Sequence, residues 1–193
     1  MSEKPISEIP HGAAAGPMKW PRRILSGIFL LVLLLLTVPY VIGMFLGNRY
    51  AGSATVEFPQ SPAAVFAAIG SDHSLISAGN EKIVERLADE NGLPVFRVNM
   101  GQSFVTERIV ERTPPTRVVR EMRDSVVPIT ARWEVTVAPA GTGSNVTVAI
   151  SGTIEDGSWH VPYFRFVMIA LGGASSAPQA ILQQVRRQMD AAK

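Results

Sequence analysis

The chain contains no cysteine. That excludes disulfides, thiolate-bound metals and cysteine nucleophiles, and leaves the redox compartment open. Histidine is nearly as scarce. His11, His73 and His160 are the three in 193 residues, and none belongs to an HxxxH or HExxH pair. A zinc site would have to be assembled from distant carboxylates, so neither a metal nor a cofactor is expected. The bulk of the chain also lacks a surplus of positive charge. The net charge of +2 sits ahead of residue 24, where Lys4, Lys19, Arg22 and Arg23 oppose Glu3 and Glu8. The remaining residues carry fourteen basic and fourteen acidic side chains. A nucleic-acid partner needs a basic face on the folded part, and this domain has no surplus from which to build one.

Charge is missing altogether from residues 24–46, ILSGIFLLVLLLLTVPYVIGMFL, a run of 23 residues. At about 1.5 Å per residue such a helix is roughly 35 Å long, enough to cross a hydrocarbon core of about 30 Å. A buried soluble helix should keep one polar face, and Leu30 to Leu36 is apolar all round. A signal-peptide core is shorter, about 7–15 residues, and ends in small residues, whereas GMFLGNRYAGSA is a poor cleavage site. A retained membrane helix is therefore expected, with the bilayer as its partner. Pro39 can kink it. Lys19, Arg22 and Arg23 precede the helix and Arg49 alone follows closely. The positive-inside rule then leaves residues 1–23 in the cytoplasm as a disordered Pro-, Gly- and Ala-rich tail. It puts the C-terminal domain outside an inner membrane, periplasmic or extracellular. Trp20 and Tyr50 stand at the two ends of the span, where amphipathic rings favour the interface. Residues 47–52 read as a linker.

From residue 53 the pattern becomes that of a folded domain, 53–193. SATVEF (53–58) alternates as a strand does. In PQSPAAVFAAIG, Ser61 is a plausible N-cap and Pro62 a plausible first helical residue, with Val65, Phe66 and Ile69 on one face. A second helical turn is expected over Asp72 to Ser77. Six strands follow: 81–88, 93–100 across a DENG hairpin turn, 102–113, 116–124, 129–139 and 145–155, with AGTGS (140–144) as the last loop. PYFRFVMIALGG and ASSAPQAILQQVRRQMDAAK are helical, with a bend expected at Gly172-Gly173 and at Pro178. Strand, helix pair, six strands and a long helix make an α+β fold. In it a curved antiparallel sheet of about seven strands buries one face against the last helix.

The stretch GSWHVPYFRF (157–166) concentrates aromatics around His160 and admits three readings. It can be a strand-to-helix corner, with Trp159 covering an edge and Pro162 starting the helix. It can be the lip of an apolar pocket. Or His160 can be a general base oriented by Glu155 or Asp156, although no Ser or Cys nucleophile is tied to it. The strand charges Glu107, Arg108, Glu111, Arg112, Arg117, Arg120, Glu121 and Arg123 read as cross-strand pairs on a solvated sheet face. Arg120, flanked by Val118, Val119 and Met122, is the one most able to point inward, where it would select an anionic head group.

Four stretches resemble one superfamily. FPQSPAAVFAAIG is similar to the opening strand-to-helix segment of the START-like or Bet v 1-like proteins, also called SRPBCC or the polyketide cyclase/dehydrase group. RWEVTVAPAGTGSNVTVAISGTI is similar to their final hairpin, VPYFRFVM to the junction into their last helix, and ILQQVRRQM to its end. The likeness covers roughly residues 53–193 and departs at SDHSLISAG, where many members carry a proline and a tryptophan. It implies a helix-grip fold, in which the sheet wraps the long helix around an apolar cavity. Phe66, Arg120, Trp133, Trp159, His160, Tyr163 and Phe166 are the residues expected to line it. It does not imply one activity: members bind lipids, hormones or polyketides, some catalyse, and some are protein-interaction modules. A membrane-anchored domain binding a hydrophobic small molecule or lipid is the first expectation. A cyclase- or dehydratase-like enzyme using His160 and an interaction module with a filled core are the rivals, and no particular protein partner is indicated.

Overall fold

The computed structural model describes residues 22–69 and 83–191. Residues 1–21 of the expected tail, Trp20 and His11 among them, lie outside the described residues, as do His73 and the expected turn over 72–77, whereas Arg22 and Arg23, expected in the tail, are the first residues of the helix that follows. The chain divides into two compact units, Met1–Thr37 and Val38–Lys193.

The described part of the first unit is helical throughout and belongs to α1, Arg22–Phe45. Its side chains from Ile24 to Thr37 are all exposed. Ile24–Phe45 is one helix long and apolar enough to cross a membrane, and almost none of it is buried. A core helix of a soluble domain would show the opposite.

The second unit contains a seven-stranded, wholly antiparallel sheet in the order β1-β7-β6-β5-β4-β3-β2. The strands are β1 Arg49–Phe58, β2 Val84–Arg86, β3 Val95–Asn99, β4 Phe104–Thr113, β5 Arg117–Asp124, β6 Ile129–Ala140 and β7 Gly143–Ile154. Period-two alternation carries the fold. Trp133, Val135 and Val137 on β6 and Val146, Val148 and Ile150 on β7 are buried and paired across the ladder. The tight turns have the residues they need. Asn91 and Gly92 both have positive φ in the β2–β3 hairpin, as two-residue turns of this hand require. The expected loop over 140–144 is shorter than its composition suggests, because Pro139 pairs with Ser144 and Ala140 with Gly143.

Three expectations are corrected. Residues 47–52 are not a linker: β1 begins at Arg49, opposite Thr153 of β7, with only residues 46–48 between it and the end of α1. Tyr50 is not an interfacial anchor: its ring is buried in the core and its hydroxyl donates to the Thr130 carbonyl at 3.0 Å. Burial pushes its phenol up to about 12. Gly152, facing Tyr50 across the β1–β7 pair, makes room for that bond, since a Cβ there would lie 2.6 Å from the Tyr50 hydroxyl. Finally, the strand expected over 81–88 shrinks to Val84–Arg86 at the sheet edge.

Helix α2, Pro62–Ile69, starts as its sequence demands, with the Ala64 amide 3.4 Å from the Ser61 hydroxyl. After β7 come α3, Val161–Arg165, and a π-helical stretch, Phe166–Ala170, whose wider turn is closed by the Leu171 amide on the Phe166 carbonyl. Gly172, at positive φ, ends it, and α4, Gly173–Ala191, departs at a 68° bend. Pro178 does not break α4. Leu182 and Val185 of α4 join Val65, Phe66 and Ile69 of α2 and the inner face of β1, β6 and β7 in one hydrophobic core. At the far end of α4, Arg186 bonds the Glu57 carbonyl and lies over the Phe58 ring.

Candidate functional site

The residues expected to line one cavity fall into two groups. The first is interior. Phe66 and Trp133 are part of the core, and Arg120 is the cross-strand neighbour of Trp133. Arg120 does point inward: both it and Glu107 are fully buried, with the guanidinium Nη1 2.8 Å from the Glu107 carboxylate and Nη2 donating to the Ile69 carbonyl at 3.0 Å. Glu107, expected on the solvated face with the other strand charges, is a correction. The alternation Val105, Glu107, Ile109 puts all three on the inner face. That register is readable in the sequence, but the charge of Glu107 weighs against it. The pair changes what Arg120 can do. A buried guanidinium already balanced by a carboxylate does not demand an anionic ligand. Beside it, Trp133 Nε1 is a buried donor with no acceptor among the described residues, and apart from the Arg120–Glu107 pair its inner-face neighbours, Val135, Val148 and Ile150, are apolar.

The second group lies at the β7–α3 corner. His160 is the residue preceding α3, and Pro162 lies in its first turn. The described side-chain hydrogen bonds of His160 run to the Ser158 hydroxyl, 2.7 Å from Nδ1. Asp156 pairs instead with Arg165 at 3.0 Å, while Arg165 also caps the end of β7 through the Ile154 carbonyl. Glu155 is exposed and borders a groove on the outer sheet face. The carboxylate-oriented base considered for His160 is thus not assembled. Trp159 does not cover an edge, as the corner reading supposed; it stands 75 % exposed. It meets His160 and Tyr163 edge-on, and His160 meets Phe164 likewise. Tyr163 packs on Tyr40 of α1, with ring centroids 5.4 Å apart, and Phe166 is half-buried in the π-helical stretch. At Gly43 the two helices come close together. A Cβ there would lie 1.8 Å from the Pro162 carbonyl oxygen, so only glycine fits.

The outer face of the sheet holds the charge ladder expected of it. Arg108 and Arg132 both bond Glu121, and Arg117 bridges Glu111 and Glu134. The hydrogen bond from Arg108, then the positive charges of Arg108 and Arg132, hold the Glu121 carboxyl below its ordinary value. A groove of about 530 Å³ opens among Thr106, Arg108, Glu121, Arg132, Ser151 and Glu155. Three of its charged groups are already committed to one another.

A curved antiparallel sheet closed by a long C-terminal helix, with a short helix after the first strand, is the helix-grip architecture of START-like and Bet v 1-like proteins. The chain belongs to the family described as polyketide cyclase / dehydrase and lipid transport, whose pattern matches residues 51–189. Solved structures agree on the fold. The aromatase/cyclase Zhui from Streptomyces sp. R1128 superposes with a TM-score of 0.53 at 13 % identity, covering 75 % of this chain and 98 % of its own. TTHA0849 from Thermus thermophilus gives 0.54 at 16 % identity, over 74 % and 99 %. Mll3558 from Rhizobium loti gives 0.53 at 19 % identity, over 71 % and 94 %. No curated protein matches the chain in sequence.

Proposed function

We propose that the protein is a single-pass membrane protein. Its START-like domain takes up an apolar small molecule or lipid between the sheet and α4, on the side of the membrane opposite the N-terminus. The observation that carries this reading is the direct junction of α1, apolar and exposed, with β1 of a domain from this family. An uncovered apolar helix of that length is stable in lipid and a liability in water. Basic residues ahead of it and their scarcity after it support this orientation. Inside, a mainly apolar core that also holds the Trp133 Nε1 donor and the internally paired Arg120 and Glu107 would suit a largely apolar ligand with one polar atom. The internal neutralisation of Arg120 by Glu107 favours a neutral ligand over an anionic head group. Phe66 and Trp133 are the contacts of choice. The placement of His160 against Ser158 supports binding over cyclase or dehydratase chemistry.

Native mass spectrometry of the full chain, released from phosphatidylethanolamine–phosphatidylglycerol nanodiscs, tests the reading. A peptide of residues 1–46 serves as control. One apolar mass per chain that survives activation, and whose occupancy falls in Trp133→Phe, is expected. An adduct series matching that of the peptide would assign the bound lipid to α1 alone and leave an interaction module with a filled core.

A further inference from the structure

We propose that the domain does not swing on its tether but rests on the bilayer, with one end of the sheet inserted at the lipid interface. This rests on the membrane-anchor reading above. Topology defines the end in question. In the antiparallel sheet, the start of β1, the β3–β4 turn, the β5–β6 turn and the end of β7 all fall on the same side, as the pairs Arg49↔Thr153, Asn99↔Phe104, Arg123↔Thr130 and Ile129↔Ile154 require. That side is the one α1 enters. Three of these four places carry an exposed large apolar side chain: Met100 and Phe104 at the β3–β4 turn, Val126 at the β5–β6 turn, Trp159 after β7. Scattered single apolar residues need no explanation, but a rim of them at one end of a domain does.

Depth follows from the chain itself. About 20 helical residues cross a hydrocarbon core, and counted from Ile24 they end at Gly43. Gly43 is where the Pro162 carbonyl touches α1, so α3 lies at the level where the span leaves the lipid. Trp159 and Tyr163, the latter packed at a tilt against Tyr40, are there the aromatic pair expected at a membrane interface. Val167 and Leu171, exposed on the turns that follow, continue the apolar surface. With residues 46–48 as the whole connection between α1 and β1, the rim has no reach to leave the surface.

The absence of native cysteine permits single-cysteine spin labels in the full chain. Labels replace Phe104, Val126 and Trp159 at the rim, Leu33 in α1, and Thr142 at the opposite hairpin turn, in phosphatidylcholine nanodiscs. Thr142 should stand about 40 Å away along the twelve residues of β6, at about 3.3 Å each. Collision with oxygen and with a water-soluble nickel chelate reports depth. The rim labels should show interfacial depth, Leu33 the bilayer interior and Thr142 bulk water. Rim labels as water-exposed as Thr142, with Leu33 in lipid, overturn the docking and leave the anchor standing. Leu33 in water overturns the anchor itself. Rim labels shielded from both reagents would mean that a protein covers the rim instead of lipid, which also overturns the proposal.

Discussion

Buried polar groups decide how individual residues behave here. Glu107 and Arg120 are each tolerable only because of the other. Removing one partner should cost about 3–5 kcal/mol. Urea unfolding of Glu107→Gln or Arg120→Met in detergent micelles, followed by far-ultraviolet circular dichroism, measures this. The double variant Glu107→Leu/Arg120→Met should recover most of the loss. Unfolding midpoints no different from the native chain would show the pair to be irrelevant. Tyr50 makes a separate prediction. Its phenol is raised from 10.0 to about 12 by burial, so the unfolded chain releases this proton first. Its contribution to stability is therefore full below pH 10 and is lost as pH rises toward 12. The difference in ultraviolet titration between the native chain and Tyr50→Phe should isolate that late phenol. Gly152→Ala, which puts a Cβ 2.0 Å from the Thr130 carbonyl oxygen, should destabilise by about 1–3 kcal/mol through overpacking.

At the scale of elements, most strands follow from alternation, and the exceptions have physical causes. The start of β1 is hidden in the sequence because Gly47-Asn48-Arg49-Tyr50-Ala51-Gly52 does not alternate; the matching residues 151–153 of β7 make it a strand. The 140–144 segment reads as a long loop because glycine and proline favour loops, while Pro139 and Ala140 are in fact paired. The corner around His160 is visible in the sequence as a helix start at Pro162. The direction of Trp159 is not, because it depends on Tyr163 being held by α1. Of the seven expected lining residues, Phe66, Arg120 and Trp133 lie inside, Trp159, His160 and Tyr163 come together at the β7–α3 corner, and Phe166 follows in the π-helical stretch. No local pattern separates the two groups. The outer-face ladder gives a test at this scale. Glu121 is held below its ordinary 4.5, so its stabilising effect is full above that pH and disappears as pH falls through the lowered value. Glu121→Gln should cost about 0.2–1 kcal/mol near neutrality, less in high salt, because these groups are exposed. Thermal melts at two salt concentrations read it out.

For the whole molecule, the division after Thr37 is informative. The last turns of α1 count with the domain, through Tyr40 on Tyr163 and Gly43 on Pro162. A chain beginning at Val38 should therefore keep the hydrogen-exchange protection of residues 161–170. One beginning at Asn48 should keep the sheet but lose protection there. Equal protection in both would show that α3 holds its place without α1. The attachment also has a mechanical side. Force from the anchor that the contacts of α1 with α3 do not take up enters β1 at its first residue and runs along the strand. β1 is an edge strand held to β7 from Arg49↔Thr153 to Phe58↔Ser144. Such a load shears ten residue pairs together and does not peel them one at a time. The weakest-looking place in the sheet, its edge, is thereby the place best able to bear the drag of a domain pulled against its membrane.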